Sequence, residues 1–596
     1  MMQEFATPSI TTVDENATTI TKLQHYRKDR PTLPLFRKRS ESGQWVTVTA
    51  SAFADEVDSV AKGLIAVGVN PGDRVGLLSS TRYEWSVIDY AIWRAGATTV
   101  AIYETSSPDQ VDWILTDSAA SVLFVETPAN RAAHQEVISN ASALKQTLVI
   151  DEGALNDLRK RGADVPDSAL DEREAAAKSS DAATLIYTSG TTGRPKGVVL
   201  THANFLAETA ATATAVGSGL EEGKSTLLFL PLAHVFARVV AVGCVENAVV
   251  LGHTNDIPNL IADLDVFKPN YVLSVPRVFE KVYNTAEQKA IDGGKGKIFG
   301  KATDTAIEYS RAVEAGNVGL MLKIKHAVFD KLVYGKLRAA LGGNCEGAIS
   351  GGAPLGERLG HFFRGAGVPV YEGYGLSETT AAVTANNDEH SRIGSVGRPV
   401  PGVTIRIAED GEVLLKGPMI FSGYWQNEKA TADSIIDGWF HTGDIGRLED
   451  GYLFITGRKK ELIVTAGGKN VSPAQLEDTI RAHPMVSQCL VVGDKKPFIA
   501  ALITIDPEAA PGWLERKGLP ASTPMSELIA NAELRAEIDA AIAAANKTVS
   551  KAEAIKKYEI LDTDFTIESG ELTPTMKLKR NVIHDTYQQA IAELYT

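Results

Sequence analysis

A polar stretch at residues 187–197 has the composition of a phosphate-binding loop. Its sequence, YTSGTTGRPKG, holds three glycines, five hydroxyl side chains and one lysine, Lys196. Glycines let a backbone curl around a ligand with its N–H groups pointing inward, while hydroxyls and an ammonium donate to phosphate oxygens. Apolar runs on both sides (LIYT and VVL) predict buried strands that end at the loop. The stretch predicts a triphosphate site at a sheet edge; the alternative is a flexible Ser/Thr/Gly surface loop.

The spacing in this loop differs from that of a Walker A loop, in which two glycines lie five residues apart before Lys and Ser/Thr. Here Gly190 and Gly193 are three residues apart, and Gly197 follows Lys196. Neither HExxH nor GxSxG occurs in the chain, and its three cysteines form no CxxC pair. Zinc-hydrolase and serine-hydrolase chemistry therefore lack support, and a disulfide framework is not expected.

A carboxylate follows a second glycine-rich run, Gly373-Tyr374-Gly375-Leu376-Ser377-Glu378. Beside a phosphate loop, such a carboxylate is typical of a site where Mg²⁺ is held partly through substrate phosphates. The aromatic ring of Tyr374 offers a flat surface on which a base can stack. The alternative interpretation is a turn with an exposed glutamate and a core tyrosine.

Three further polar groups are ambiguous when each is taken alone. Asp444 ends an HTGD sequence and fits either a ribose-binding carboxylate or a β-turn. Arg458, Lys459 and Lys460 are consecutive cations that fit a hinge between domains or a solvated charged surface. Lys577 lies in LTPTMKLKR, where the turn-forming Thr-Pro-Thr favours an extended basic segment over a helix.

The elements that must position these residues alternate between strand and helix. Buried strand patterns such as DRVGLLSS and AISGG are followed by helical patterns, which predicts α/β layers. Residues 286–342 form a predicted helical insertion, and residues 394–456 are rich in glycine and short strands, which indicates a small β subdomain. The texture changes at GRKKELI, so we predict one domain over residues 1–457 and a separate C-terminal domain over residues 458–596.

Composition restricts the class of protein. With 596 residues, 44% hydrophobic and 22% charged, the chain is an ordinary globular one. Its net charge of −14 argues against broad nucleic-acid binding. The first thirty residues hold acidic groups and no apolar core typical of a secretory signal, and the most apolar long window (residues 235–253) contains Arg, Glu and Asn. We expect a cytoplasmic enzyme, either a monomer or a homodimer.

Several motifs in fixed order together resemble the adenylate-forming superfamily of acyl-CoA synthetases, luciferases and peptide-synthetase adenylation domains. The matching stretches are YTSGTTGRPKG, FLPLAHVF, SGGAPL, YEGYGLSET, GWFHTGD, GRKKELI and PTMKLKR. They span residues 187–580, and the set is far more specific than any one motif. PLAHVFAR, SVPRVFEKVY, the helical insertion and TAGGKNVSP look most similar to bacterial long-chain fatty-acid–CoA ligases.

The resemblance implies a fold and a reaction. The fold is α/β, with a large N-terminal domain of layered sheets and helices and a small mobile α+β lid at the C-terminus. The implied substrates are a fatty acid, ATP and coenzyme A, with Mg²⁺. Fatty carboxylate and ATP give acyl-adenylate and pyrophosphate, and the coenzyme A thiol then releases AMP. A fatty acyl-AMP ligase that serves a carrier protein shares these motifs, and a non-catalytic nucleotide sensor is the alternative outside enzymes.

The resemblance also implies a role for each residue that matches a family motif. The pyrophosphate end of ATP is assigned to Thr188, Ser189, Gly190, Thr191, Thr192, Gly193 and Lys196. The adenine pocket is assigned to Gly352, Ala353, Pro354, Tyr374 and Gly375. The ribose falls to Asp444 and Arg458, the α-phosphate to Thr379, and Mg²⁺ to Glu378 with the hydroxyl of Thr188.

The remaining matches concern the acyl site and the lid. His234 matches the residue between the adenylation centre and the acyl tunnel, and Lys577 matches the adenylation lysine. Lys460 matches the hinge position, while Gly467 and Gly468 match a loop along the pantetheine channel. One position departs from the family pattern, because Met576 stands where a glycine usually precedes the lysine. Glycine tolerates backbone shapes that methionine does not, so this departure bears on how the strand moves.

The helical insertion contains a basic amphipathic segment at residues 320–341. Apolar residues recur at helical spacing among five basic residues, and Asp330 is the one acidic residue of the segment. We hypothesise a peripheral contact with anionic membrane, through which fatty acid would enter from the bilayer. The alternative is a helix packed on the N-terminal domain with its lysines in water.

Overall fold

The computed structural model describes residues 3–10, 12–188, 194–573 and 576–596, apart from the side chains of residues 218 and 219. Within this part of the chain, strands and helices alternate as the sequence predicts, and the α/β fold class is confirmed. Three large sheets lie in the first three quarters of the chain, and a smaller α+β unit follows.

The first sheet carries the predicted phosphate loop on one of its hairpins. In the described residues it has seven strands, and its strand order is Gly423–Tyr424, Lys196–Thr201, Ala182–Thr188, Thr98–Ile102, Arg74–Leu78, Val122–Val125 and Gln146–Val149. The last five strands of this order run parallel to one another, and the first two are antiparallel to their neighbours. The parallel strands are buried on both faces, as their continuous apolar sequences predict.

The second sheet contains the glycine-rich run of Tyr374 in its strand Val370–Leu376. In the described residues it has nine strands, and their order is Arg398–Pro399, Ala381–Ala385, Val370–Leu376, Gly347–Ser350, Tyr271–Ser274, Ser225–Leu228, Val250–His253, Pro34–Arg39 and Trp45–Thr49. Its six inner strands are parallel, and the remaining three pair antiparallel at the two edges.

The third sheet is antiparallel and forms the predicted small β subdomain. Its strands in the described chain are Glu4–Ala6, Thr404–Ile407, Glu412–Lys416, Trp439–Glu449, Ile435–Ile436 and Tyr452–Arg458. The C-terminal unit holds a sheet of Val486–Val492, Ile499–Ile505 and Ile555–Leu561 and a small ladder of Ile463–Val464 and Asn470–Val471.

Helices cover the sheets of both regions. Those of the N-terminal region are Thr21–Asp29, Ala50–Ala66, Tyr83–Arg94, Pro108–Ser118, Pro128–Ala133, Gln135–Asn140, Ala154–Arg161, Asp167–Ala176, His202–Val216, Val235–Glu246, Leu260–Phe267, Pro276–Asp292, Gly296–Glu314, Leu320–Phe329, Gly335–Ala340, Glu357–Gly365 and Glu428–Ser434. Those of the C-terminal unit are Pro473–Arg481, Ala510–Arg516, Met525–Leu528, Ala532–Asn546, Arg580–Thr586 and Gln588–Glu593. In the part of the chain that the structure describes, no helix is both long and apolar enough to cross a membrane.

Apolar burial divides the chain. One large hydrophobic core runs from Ile20 to Leu453 and is shared by the sheets of the N-terminal region. A smaller N-terminal cluster lies between Leu78 and Tyr187, and two further clusters lie wholly within the C-terminal unit. Among the described residues, no apolar cluster extends across both regions.

A buried ion pair joins the helix Val235–Glu246 to the helix Tyr83–Arg94, and a hydrogen bond joins the same arginine to the first sheet. The Arg238 guanidinium donates to both carboxylate oxygens of Asp89, at 2.7 and 2.8 Å, and also to the hydroxyl of Thr184. Asp89 accepts a further bond of 2.6 Å from Thr99. Aromatic rings surround the cation, with centroids 5.0 to 5.7 Å from it: Trp85, Trp93 and Phe205. The bond from Arg238 to Thr184 connects the helix capped by His234 to the strand Ala182–Thr188, which leads to the phosphate loop.

Removing one partner of this pair should destabilise the N-terminal domain strongly. In Asp89→Ala, Arg238 stays buried without its counter-ion, and we expect a loss of about 3–5 kcal/mol in chemical denaturation. The matched control is Asp433→Ala, which breaks the exposed pair of Lys429 and Asp433 and should leave the free energy of unfolding almost unchanged. Equal, small losses in the two variants would contradict a structural role for the buried pair.

Candidate active site

The two strands on either side of the phosphate-loop sequence pair as a β-hairpin. Its strands Ala182–Thr188 and Lys196–Thr201 are antiparallel, and Thr188 lies opposite Lys196 at the last register position. The predicted loop residues Ser189, Gly190, Thr191, Thr192 and Gly193 lie outside the residues that the structure describes. The strand Lys196–Thr201 that follows these residues contacts the short helical turn Ser377–Thr379, which contains Glu378.

A tight turn presents Glu378 toward this hairpin. Gly375 precedes it, and a Cβ at that position would lie 1.5 Å from the carbonyl oxygen of Ala381, so only glycine fits. Thr379 is buried, and its hydroxyl accepts from the N–H of Leu376 and donates to the carbonyl of Ala381. In this conformation the Thr379 side chain maintains the turn, and its contact with an α-phosphate stays a prediction.

Tyr424 connects the glutamate to the lysine of the phosphate loop. Its hydroxyl donates to Glu378 at 2.8 Å, and the Lys196 ammonium lies 4.8 Å from the centre of its ring. Burial raises the pKa of the Tyr424 hydroxyl, and the negative charge of Glu378 adds to the effect. Sequence reasoning missed this residue, because Tyr424 belongs to no glycine-rich or charged motif. The two-residue strand Gly423–Tyr424, paired with the loop hairpin, brings it to the site.

The predicted nucleotide residues Tyr374, Asp444 and Arg458 form one hydrogen-bonded group. Asp444 is buried, accepting 2.6 Å from the Tyr374 hydroxyl and 2.9 Å from the Arg458 guanidinium. Asp444 and Arg458 are paired residues on the neighbouring strands Trp439–Glu449 and Tyr452–Arg458. Burial, followed by the charge of Asp444, raises the pKa of Tyr374 far above its usual value, so the phenol is a neutral donor. The alternative of an isolated β-turn at Asp444 is not what the chain forms.

Lys577 reaches the same cleft from the C-terminal unit. It interacts electrostatically with Arg458, Asp444, Glu461 and Glu378, which places its ammonium among the predicted nucleotide and metal residues. Its side chain is open to the solvent of the cleft, yet the surrounding protein displaces enough water that desolvation lowers its pKa. The repulsion from Arg458 acts in the same direction, while the three carboxylates oppose it.

The turn before Lys577 shows what the methionine at this position entails. Met576 adopts a φ of +61°, in the left-handed region where glycine is favoured over other residues. Its N–H donates to the carbonyl of Thr573, and the Lys577 N–H donates to the Thr573 hydroxyl. The turn thus has the shape that a glycine would adopt easily, and Met576 adopts it under strain.

His234 lies at the start of the helix Val235–Glu246 and faces Lys577. Its Nδ1 accepts from the N–H of Phe236 at 3.2 Å and caps the helix. Burial lowers the pKa of His234 to about 3, and the charge of Lys577 adds repulsion. The ring is therefore neutral at physiological pH and acts as a polar wall of the cleft without a charge of its own.

Polar contacts hold the C-terminal unit over the cleft. Along the helix Pro276–Asp292, Arg277 pairs with Asp506 at 2.7 Å and Lys281 pairs with Glu508 at 2.7 Å. Farther along the same helix, Gln288 accepts a hydrogen bond from Arg516. In this arrangement Lys577 lies within electrostatic range of Asp444 and Glu378, and its role in adenylation stays a prediction.

The remaining predicted residues lie in exposed loops, turns and a short helix. Gly352, Ala353 and Pro354 form an exposed loop after the strand Gly347–Ser350, anchored where Leu355 donates to Glu372. Lys460 is exposed in the short helix Lys459–Glu461. Gly467 and Gly468 are exposed in the turn between the strands Ile463–Val464 and Asn470–Val471. The hinge and channel roles of these last three residues stay predictions.

Glu208 is a second residue that sequence reasoning missed. It is buried in the helix His202–Val216, where one oxygen accepts from the Ala382 N–H and the other has no partner among the described residues. Burial raises its pKa well above the usual range, so the side chain is a neutral acid. Glu208 supports the turn of Glu378 from behind. An acidic residue in an apolar helical pattern was its only signal in the sequence.

The donor set at the loop fits a magnesium ion. Glu378 has one carboxylate oxygen bonded to Tyr424, and its other oxygen accepts no hydrogen bond within the described residues. With the hydroxyl of Thr188 it would supply oxygen ligands, since Mg²⁺ needs few protein ligands where phosphates and water provide the others.

Two family models match the chain in the same order as its two regions. The model for AMP-binding enzymes matches residues 23–425, and the model for the AMP-binding enzyme C-terminal domain matches residues 460–596. The first match includes YTSGTTGRPKG, FLPLAHVF, SGGAPL and YEGYGLSET, the second includes PTMKLKR, and GWFHTGD lies between the two.

Individual relatives extend this likeness over the whole chain. The long-chain-fatty-acid–CoA ligase FadD15 of Mycobacterium tuberculosis is 52% identical over 598 residues, which covers 100% of both chains. The long-chain-fatty-acid–CoA ligase ACSBG2 of Gallus gallus is 32% identical over 93% of this chain and 78% of its own. In fold, the chain is similar to the anthranilate CoA ligase AuaEII, with a TM-score of 0.72, 20% identity, and coverage of 97% of this chain and 99% of that one. The chain therefore belongs to the AMP-binding enzyme family, whose two domains meet at the cleft of Glu378, Asp444 and Lys577.

Proposed function

We propose that the chain is an ATP-dependent, AMP-forming long-chain fatty-acid–CoA ligase. The observation that carries this proposal is the meeting of Lys577, Glu378 and the Tyr374–Asp444–Arg458 group at one cleft. Such a cleft offers a carboxylate for a metal ion, a pair of residues for the ribose and a cation for the negative charge of the reacting groups. These are the groups needed where a carboxylate substrate attacks ATP. The long-chain substrate rests on the 52% full-length identity to FadD15.

The reaction has two halves. First, a carboxylate oxygen of the fatty acid bonds to the α-phosphorus of ATP, and the bond from that phosphorus to the pyrophosphate oxygen breaks. Next, the coenzyme A thiol loses its proton and attacks the carbonyl carbon of the acyl-adenylate. The C–S bond forms, the C–O bond to AMP breaks, and AMP leaves with the electron pair.

Charge repulsion dominates the first half, because an anion approaches a polyanion. Lys577 neutralises charge where the carboxylate meets the α-phosphate, and Lys196 acts at the pyrophosphate end with residues 188–193. Thr379 faces the α-phosphate. The neutral ring of His234 separates this centre from the acyl tunnel without adding charge beside the substrate carboxylate.

The nucleotide is held by groups from several strands. Asp444 and Arg458 bind the ribose, Tyr374 and Gly375 line the adenine pocket, and residues 352–354 close it. Glu378 and Thr188 would hold Mg²⁺, which when bound supplies charge neutralisation of the phosphates.

The lid carries the second half of the reaction. We propose a domain boundary at residues 457/458, with Lys460 as the hinge and Gly467 and Gly468 along the path of the pantetheine arm. The separate hydrophobic cores on the two sides and the polar contacts between them support a swinging lid. A cytoplasmic location fits substrates made inside the cell, and one surface contacts the inner face of the cell membrane.

A panel of fatty acids of different lengths, assayed for AMP release with and without coenzyme A, tests the function. We expect pyrophosphate release with long-chain acids, and coenzyme A-dependent AMP release together with an acyl-CoA product. Pyrophosphate release with no acyl-CoA, but with transfer to a carrier protein, would replace the proposal by an acyl-AMP ligase. No pyrophosphate release with any acid would reject a ligase altogether.

Loss of the Lys577 ammonium should affect one half-reaction more than the other. Lys577→Ala should slow adenylation about 10²–10³-fold, which is the scale of one lost stabilising group in a transition state. Thioester formation from supplied acyl-adenylate should be much less affected, since the lid uses a different surface in that step. Pyrophosphate and AMP release in single-turnover assays measure the two steps, and equal loss in both would contradict the two-pose mechanism.

The conformation of Met576 gives a second test of the same strand. Met576→Gly relieves the positive φ and should leave the adenylation rate within about threefold of the wild type. Met576→Val places a β-branched residue at that φ and should slow adenylation about fivefold to thirtyfold, because left-handed backbone costs L-residues about 1–2 kcal/mol and β-branched residues adopt it least readily. A valine variant as active as the glycine variant would show that the strand adopts another shape during adenylation.

A further inference from the structure

One helix of the N-terminal domain presents apolar side chains to solvent. It spans Leu320–Phe329 and continues through the π-helical turn Asp330–Tyr334. Its exposed apolar residues, with their exposed fractions, are Leu320 (74%), Met321 (68%), Ile324 (53%), Val328 (51%) and Leu332 (53%). At 3.6 residues per turn these five positions fall within an arc of about 120°. We call this arc the outer stripe.

The outer stripe does not hold the helix in place, because the opposite face does so. Phe329 and Val333 pack against the main core from that side. His326 bonds to the carbonyl of Gly365 at 2.6 Å and stacks on Tyr309 with ring centres 3.8 Å apart. The helix thus has an inner apolar face that is used and an outer one that is not. Contiguous apolar surface of this kind is typical of a binding site.

Positive charge accompanies the outer stripe. Lys323, Lys325, Lys331 and Lys336 are exposed, and within the described residues none of them joins an ion pair. Asp330, the acidic residue of this segment, is paired with Arg338 at 2.7 Å, and that bond lowers its pKa. Four lysines without counter-charges thus lie within residues 323–336, in a chain whose net charge is −14.

We propose that the outer stripe and its lysines dock on the surface of an anionic lipid bilayer. The apolar residues enter the boundary between headgroups and acyl chains, while the lysines pair with lipid phosphates. Charge complementarity favours lipid as the binding partner, because an anionic bilayer offers phosphates to the lysines and an apolar interior to the outer stripe. The docking goes beyond the ligase function and does not depend on it, since a catalytically dead protein should bind equally well.

Sedimentation of the full-length protein with vesicles tests this docking. We expect binding to vesicles of phosphatidylcholine with phosphatidylglycerol, weaker binding at high salt, and little binding to phosphatidylcholine alone. The triple variant Lys323→Gln, Lys325→Gln and Lys331→Gln should lower the affinity about 100-fold. The triple variant Leu320→Ser, Ile324→Ser and Val328→Ser should lower it at least as much, because it removes the apolar contact.

A charge-matched control separates local docking from overall charge. The variant Lys145→Gln, Lys160→Gln and Lys547→Gln removes the same charge from exposed sites elsewhere and should bind like the wild type. Because all the substituted side chains are exposed, thermal unfolding and adenylation of a dissolved short-chain acid should be unchanged throughout. Unchanged binding by both stripe variants would overturn the proposal, as would failure of the wild type to bind anionic vesicles. Loss of a dimer in the serine variant without loss of vesicle binding would assign the stripe to self-association and also overturn it.

Discussion

The ion pair of Arg238 and Asp89 is the interaction on which the active site depends. A guanidinium without solvent exposure needs a nearby counter-ion and hydrogen-bond acceptors. For Arg238, Asp89 is the counter-ion, and Asp89 and Thr184 both accept its hydrogen bonds. Thr184 belongs to the strand that enters the phosphate loop, and Arg238 lies one turn after His234. A single desolvated cation thereby fixes the distance between the loop and the acyl side of the cleft.

Around this fixed frame, the cleft is assembled from short contacts between distant parts of the chain. Tyr374 reaches Asp444 across 70 residues of sequence, and Tyr424 reaches Glu378 across 46. Each contact joins a neutral donor to a carboxylate, so the carboxylates are oriented without being neutralised. The result is a cleft with oriented carboxylates on its walls and the cations Lys196 and Lys577 on either side.

The C-terminal unit that carries Lys577 is held differently from the residues of the N-terminal domain that line the cleft. Its own cores bury its apolar surface, and ion pairs such as Arg277 with Asp506 hold it on the N-terminal domain. The exposed pair of Lys281 with Glu508 contributes little stability, which suits a domain that must leave again. Desolvation lowers the pKa of Lys577 in the cleft, so the carboxylates there have to favour its charged form.

The sequence by itself determined the fold class, the order of the motifs and most of the polar residues of the cleft. Those properties are local: hydrophobic periodicity sets strand and helix, and residue type sets the available chemistry. Only the tertiary structure decided that Tyr424 and Glu208 support Glu378, that Met576 has a positive φ, and that the 320–332 helix has a free apolar face. These depend on which distant segments pack together, and on which face of a helix the core leaves uncovered. A pattern along the chain carries no information about either.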